Sequence, residues 1–111
     1  MARLPRSDEA ILDIRKIEDY CLSPPHPRGR HKARVFREAL GLTRGDAAWL
    51  QDALLEGARS SEASELAADA CGAHWRLDVT VRRHGRTAVV RTIWIVRTGE
   101  SLPRFVTCWV L

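Results

Sequence analysis

The sequence predicts an α+β fold: three N-terminal helices packed on one face of an antiparallel β-meander of three or four strands. Three observations carry that expectation. The hydrophobic period is helical up to Ala73 and falls to two residues after it. Turn signals at Arg83-His84-Gly85-Arg86, a short hairpin turn, and at Gly99 to Pro103 divide the second part into the strands of a meander. Helices first and strands second also segregate the two kinds of element, which is the α+β arrangement.

Residues 1–13 are charged, lack an apolar signal core and read as a flexible lead-in. Ile14, Ile17, Cys21 and Leu22 have helical spacing within Ile11 to Leu22, and Pro24-Pro25 ends that first helix. Gly29 to Leu40 reads as the second, with Ala33, Phe36 and Leu40 on one face and Gly41 as its C-cap. Thr43 with Asp46 resembles a capping box and opens a third helix carrying Trp49, Leu50, Ala53 and Leu54, which Gly57 closes. Arg59 to Ala73 is rich in Ser, Ala and Glu, and reads as a loop or a weak helix. Trp75, Leu77, Val79 and Val81 then alternate with polar residues, as in a strand with one buried face. Thr87 to Arg97 and Arg104 to Leu111 supply two more strands.

Alternation sorts the sheet into two faces. With Leu77, Val79 and Val81 toward the helices, Asp78 and Thr80 point the other way. The same parity sends Val106, Cys108 and Val110 inward and leaves Thr107 and Trp109 on the open face. The middle strand is apolar on both sides. Burying an unpaired guanidinium costs far more than burying a threonine hydroxyl, so Arg91 is expected outside and Thr92 with Trp94 inside. Trp49, Trp75 and Trp94 read as core.

A chain of 111 residues is one domain. No apolar run approaches the length of a membrane span, so a cytoplasmic setting without membrane association is expected. Cys21, Cys71 and Cys108 form no CxxC pair, so they are expected as reduced thiols and not as zinc ligands. Nor is there a phosphate-cradling Walker loop, or spacing that suggests a Ser-His-Asp or Cys-His arrangement; no cofactor and no metal are expected. The net charge of +4 is unevenly spread. His26, Arg28, Arg30, His31, Lys32, Arg34 and Arg37 fall within twelve residues that contain no acid. From Glu38 to Gly72, two arginines face seven acids; beyond it, seven arginines face only Asp78 and Glu100. Cations crowded at a helix N-terminus make a receptor for anions, and a polarised surface steers polyanions.

The sequence resembles a bacterial domain family of uncharacterised function. Its members occur alone and as C-terminal tips of polymorphic-toxin and contact-dependent-inhibition proteins. The resemblance lies in Tyr20-Cys21-Leu22, His26-Pro27-x-Gly29-x-x-Lys32-Ala33-x-x-Phe36 and Leu40-Gly41. It continues through Gly85-x-Thr87-x-x-Val90-Arg91-Thr92-x-Trp94-Ile95 and Pro103-x-x-x-Thr107, covering residues 16–111. Ile93 stands where the family carries glycine, and Trp109 where it often carries tyrosine. The helix-then-sheet layout is similar to that of the barnase, colicin and RelE group of metal-independent ribonucleases. Those enzymes make the RNA 2′-hydroxyl attack its own 3′-phosphate.

That chemistry needs a base, an acid and fixed positive charge at the phosphorus. His26 is expected as acid or base, Lys32 and Arg91 as charge stabilisers, and Thr107 as a hydrogen-bond donor. Trp109 would stack a base, with Arg28, Arg30, Asp78 and Thr92 as further substrate contacts. The expected function is a toxin-like endoribonuclease acting on RNA, tRNA included. Its expected partner is an acidic immunity protein, with a homodimer left open. Two other readings remain: a binding module for nucleic acid or a phosphorylated ligand, and a toxin–immunity interaction protein. Each residue also has a structural alternative. His26 as a turn cap, Lys32 as a snorkelling surface lysine, Arg91 as an ion-pair partner of Asp78 and Thr107 as a plain strand residue are the principal ones.

Overall fold

A computed structural model describes residues 2–111. Two α-helices, α1 (Arg30–Leu40) and α2 (Ala47–Ser60), cover one face of a four-stranded antiparallel sheet. The strands β1 (Ala63–Glu65), β2 (Gly72–Arg83), β3 (Arg86–Arg97) and β4 (Arg104–Val110) lie side by side in chain order. The predicted fold class is therefore present, with two long helices in place of three and with the upper of the two strand counts.

α1 forms where Ala33, Phe36 and Leu40 line one face. It packs on β3 and β4. Gly41 ends it at φ 67°, and its N–H reaches back to the Arg37 carbonyl. The Thr43–Asp46 box is present: the Asp46 carboxylate accepts from the Thr43 N–H at 2.9 Å and from its hydroxyl at 3.1 Å. It opens a short 3₁₀ turn that runs into α2, which packs on β2. Gly57 does not close α2, which continues to Ser60. A Cβ at Gly57 would lie 2.3 and 2.8 Å from the two Val79 methyls, so this glycine marks a close approach of helix to sheet.

The first predicted helix is a five-residue π-helical turn, Ile17–Cys21. The Leu22 N–H reaches the Ile17 carbonyl at 2.8 Å, the wider spacing of such a turn. Ile11 does not belong to it. Its N–H and carbonyl pair with Pro103 and Phe105 at 2.9 and 2.8 Å, a bridge to the last strand that satisfies helical spacing by coincidence. The lead-in is likewise packed and not free, because Leu4 and Leu12 are buried in the core and Gln51 donates to the Leu12 carbonyl at 2.8 Å.

The segment expected as a loop or weak helix supplies β1, whose Ala63 pairs with Leu77. His84 and Gly85 take φ 48° and 78°, both positive as a two-residue hairpin turn of this twist requires. Leu77, Val79, Val81, Val90, Thr92 and Trp94 are buried as the alternation predicts. On β4 the parity breaks. Thr107 pairs with Ile93 but Phe105 pairs with Trp94, so Val106 is bulged out and 37% exposed while Phe105 takes the core position. Trp49 is also displaced from the predicted core: it is 36% exposed on the outer side of α2, with the Arg83 guanidinium 5.3 Å from its ring centroid.

Gly57→Ala tests the helix–sheet contact. Val79 is β-branched and boxed by the sheet, so it cannot yield cheaply. The substitution should destabilise the fold by about 1–3 kcal/mol in urea unfolding, despite alanine's better helix propensity.

Candidate functional site

β4 is an edge strand, and the π-helical turn lies along its free side. Lys16 donates to the Phe105 carbonyl at 2.9 Å there. Behind that turn comes the start of α1, seated by a contact that only glycine allows. A Cβ at Gly29 would fall 2.0 Å from the Tyr20 carbonyl oxygen, although φ at Gly29 is an ordinary −91°. The glycine is there for proximity, which helix initiation after His-Pro does not explain.

This seating brings both His26 and Lys32 against Tyr20. The His26 and Tyr20 rings meet edge-to-face at 4.7 Å, and the Lys32 ammonium lies 4.9 Å from the Tyr20 centroid. Lys32 also lies 5.4 Å from the Trp109 centroid and donates to Thr107 Oγ1 at 2.8 Å. A cation between two aromatic rings and a hydroxyl can leave bulk water without losing all its partners. Lys16, Tyr20, Lys32, Val106 and Thr107 line a cleft of about 360 Å³.

His26 Nδ1 accepts the main-chain N–H groups of Arg28 and Gly29, both at 3.0 Å. A nitrogen accepting two hydrogen bonds carries no proton, so these bonds assign the ring proton to Nε2. In this state His26 offers a donor and not a base.

Beneath the cleft, Thr107 connects Lys32 to a pair of buried thiols. Cys21 Sγ is 4.0 Å from Thr107 Oγ1 and 3.8 Å from Cys108 Sγ. The hydrogen bond from the Cys108 thiol, opposed by burial and assisted by the Lys32 charge and the Thr107 hydroxyl, lowers the Cys21 pKa to about 6. The same pairing and its burial push the Cys108 thiol well up.

On the open face Arg91 stands opposite Trp109 in the β3–β4 register. Its Nε and Nη2 both reach the Asp78 carboxylate at 2.9 Å, a bidentate pair that lowers the Asp78 pKa. Lys32, Thr107 and Trp109 thus meet directly. His26 packs on the Tyr20 ring that Lys32 also approaches, and Arg91 adjoins Trp109 with its charge already engaged by Asp78.

Three expected contacts do not join this group. Thr92 is fully buried, its hydroxyl donating to the Leu77 carbonyl and accepting from Trp94 Nε1, both at 2.8 Å. It serves as an internal tie. Arg30 lies on the opposite flank of α1, lining a separate groove with Leu22, Ala33, Arg34, Arg37 and Leu42. Arg28 is exposed and contributes its main-chain N–H to His26. Tyr20, Cys21, Cys108 and Lys16 were missed as site residues. Tyr20-Cys21 stood in the resemblance motif, but a helical reading of the segment gave no reason to place it at a sheet edge.

Fold and site together define a class of small α+β domains with a cationic, aromatic-walled cleft beside an edge strand. The chain belongs to the family described as Domain of unknown function (DUF6883), whose model matches residues 3–111. That span includes most of the lead-in, which fits its packing in the core. No curated protein matches the chain. Among solved structures it is similar to a chain of "Contact-dependent growth inhibition toxin - immunity protein complex from Klebsiella pneumoniae 342". The TM-score is 0.71 at 14% identity, over 92% of this chain and 100% of that one.

Thr107→Val should separate the cleft from the thiols beneath it. The hydroxyl that accepts from Lys32 and supports Cys21 is lost, costing about 1–3 kcal/mol of stability. The Cys21 pKa should rise, which iodoacetamide labelling against pH in a Cys71→Ser background will read as a rightward-shifted profile.

Proposed function

We propose that this domain is a toxin-type endoribonuclease that binds RNA phosphate in the β4-edge cleft and cleaves by 2′-hydroxyl transesterification, without a metal or cofactor. The observation carrying this reading is the Lys32 ammonium, fixed between Tyr20, Trp109 and Thr107, with the His26 ring packed on the same tyrosine. In the reaction the 2′-hydroxyl gives its proton to water and its oxygen bonds to phosphorus, while the bond to the 5′-oxygen breaks and that oxygen leaves with a proton from water. Negative charge builds on the non-bridging oxygens. Lys32 has hydrogen-bond donors beyond the one given to Thr107, and these meet that charge. Trp109 offers a stacking surface for a base next to Arg91. Arg91 turns to phosphate by exchanging its Asp78 partner. RNA places the site of action in the cytoplasm of the producing or a target cell. A chain of net charge +4 and pI about 9.5 suits an acidic immunity partner. The fold likeness to a chain of a toxin–immunity complex supports the same pairing.

One observation favours a second reading. With Nδ1 of His26 occupied, the imidazole is not poised to take the 2′-hydroxyl proton. A domain that binds RNA phosphate without turning it over would have this same cleft.

Incubation with total bacterial RNA in EDTA decides between them. Cleavage leaving 2′,3′-cyclic phosphate ends, reduced about 10²–10³-fold in Lys32→Ala, is the expected result. Salt-sensitive binding by folded protein with intact RNA at high concentration would establish the second reading instead. Asp78→Asn releases the Arg91 charge, and should tighten RNA binding at low salt and steepen its salt dependence, measured by fluorescence anisotropy.

A further inference from the structure

The nuclease reading makes no use of the two thiols beneath the cleft, yet their placement is specific. Cys21 and Cys108 come from segments 87 positions apart in sequence, and their sulfur atoms stand 3.8 Å apart in a region without exposure. Cys71 is exposed and free. A disulfide bond is about 2.05 Å long, so closing the pair needs a movement of roughly 1.8 Å shared between two segments. The segments differ in stiffness. Cys108 is fixed in the ladder opposite Thr92, whereas Cys21 sits at the end of the π-helical turn.

We propose that Cys21 and Cys108 form a peroxide-oxidisable dithiol that closes to a disulfide across the floor of the β4-edge cleft. The cleft lies one residue from the pair, because Thr107, one of its lining residues, has its hydroxyl 4.0 Å from Cys21 Sγ, and peroxide reaches the buried sulfur when the adjoining π-helical turn opens. The Cys21 thiolate attacks hydrogen peroxide. A sulfur–oxygen bond forms, the oxygen–oxygen bond breaks, and the departing hydroxide takes a proton to become water. Cys21 is then a sulfenic acid. Cys108, giving up its thiol proton, attacks the Cys21 sulfur. The sulfur–sulfur bond forms, the sulfur–oxygen bond breaks, and hydroxide leaves with that proton as a second water. Two thiols are oxidised and one peroxide is reduced.

Closure pins the π-helical turn to β4 and draws Tyr20, the residue next to Cys21, toward the strand. It also removes the thiolate that faces Thr107 and Lys32. Oxidation therefore acts on the wall and floor of the cleft, and does so whether that cleft turns RNA over or only binds it.

The test uses the full chain with Cys71→Ser, which leaves the two buried thiols alone. Treatment with hydrogen peroxide should lower the intact mass by two hydrogens, and digestion should yield one peptide pair joined through Cys21 and Cys108. Tm should rise by about 10 °C and return to its starting value with dithiothreitol, because the bond closes a loop spanning most of the chain. Cys108→Ser should accumulate Cys21 sulfenic acid, trapped by dimedone as a single adduct. Unchanged mass in treated Cys71→Ser protein, with both thiols alkylated after denaturation, overturns the proposal. So does oxygen addition at either cysteine without the linked peptide. Neither readout depends on RNA, so a failed nuclease assay leaves this result standing.

Discussion

The contact between the Lys32 ammonium and Thr107 organises the cleft at the β4 edge. It joins the first turns of α1 to an edge strand 75 positions away, and it puts a cation where a sheet would otherwise show only main chain. The contact depends on Gly29. With no side chain there, α1 starts hard against the Tyr20 carbonyl, and one turn later Lys32 clears the tyrosine ring and reaches β4. A larger residue would push the helix start outward and separate His26, Tyr20 and Lys32 together.

Positive charge is then managed by partners of different strength. Lys32 touches two rings and a hydroxyl, with the Cys21 sulfur just beyond that hydroxyl and no carboxylate paired to it among the described residues. Arg91 has a carboxylate gripping it at two points. The Lys32 ammonium at the β4 edge therefore has no carboxylate partner, whereas the Arg91 guanidinium on the open face is neutralised by Asp78.

Much of the architecture was legible from period and punctuation. The switch from helical to alternating spacing located the helices and the meander, and His84-Gly85 and Gly41 marked a turn and a cap that the backbone confirms. Burial cost correctly sent Thr92 inward and Arg91 outward. What was not legible depended on contacts between distant segments. Ile11 has helical spacing to Ile14 but pairs with the last strand. Gly57 looks like a stop signal and is in fact a clearance for Val79. The bulge at Val106 exchanges inside for outside over one residue, which alternation alone cannot foresee. In the site, the cations of one segment looked like a single group. A helix turns by about 100° per residue, so Lys32 and Arg30 face different flanks and serve different surfaces.

The armour along β4 has a consequence for recognition. Many domains capture partners by letting a foreign strand extend their sheet, using unpaired peptide groups as a generic adhesive. Here Ile11 and Lys16 already occupy the peptide groups around Phe105, and the Cys21 turn lies over the next residues. Extension at that border is blocked. Whatever docks there must be chosen by side-chain chemistry, which discriminates between molecules far better than an open strand does.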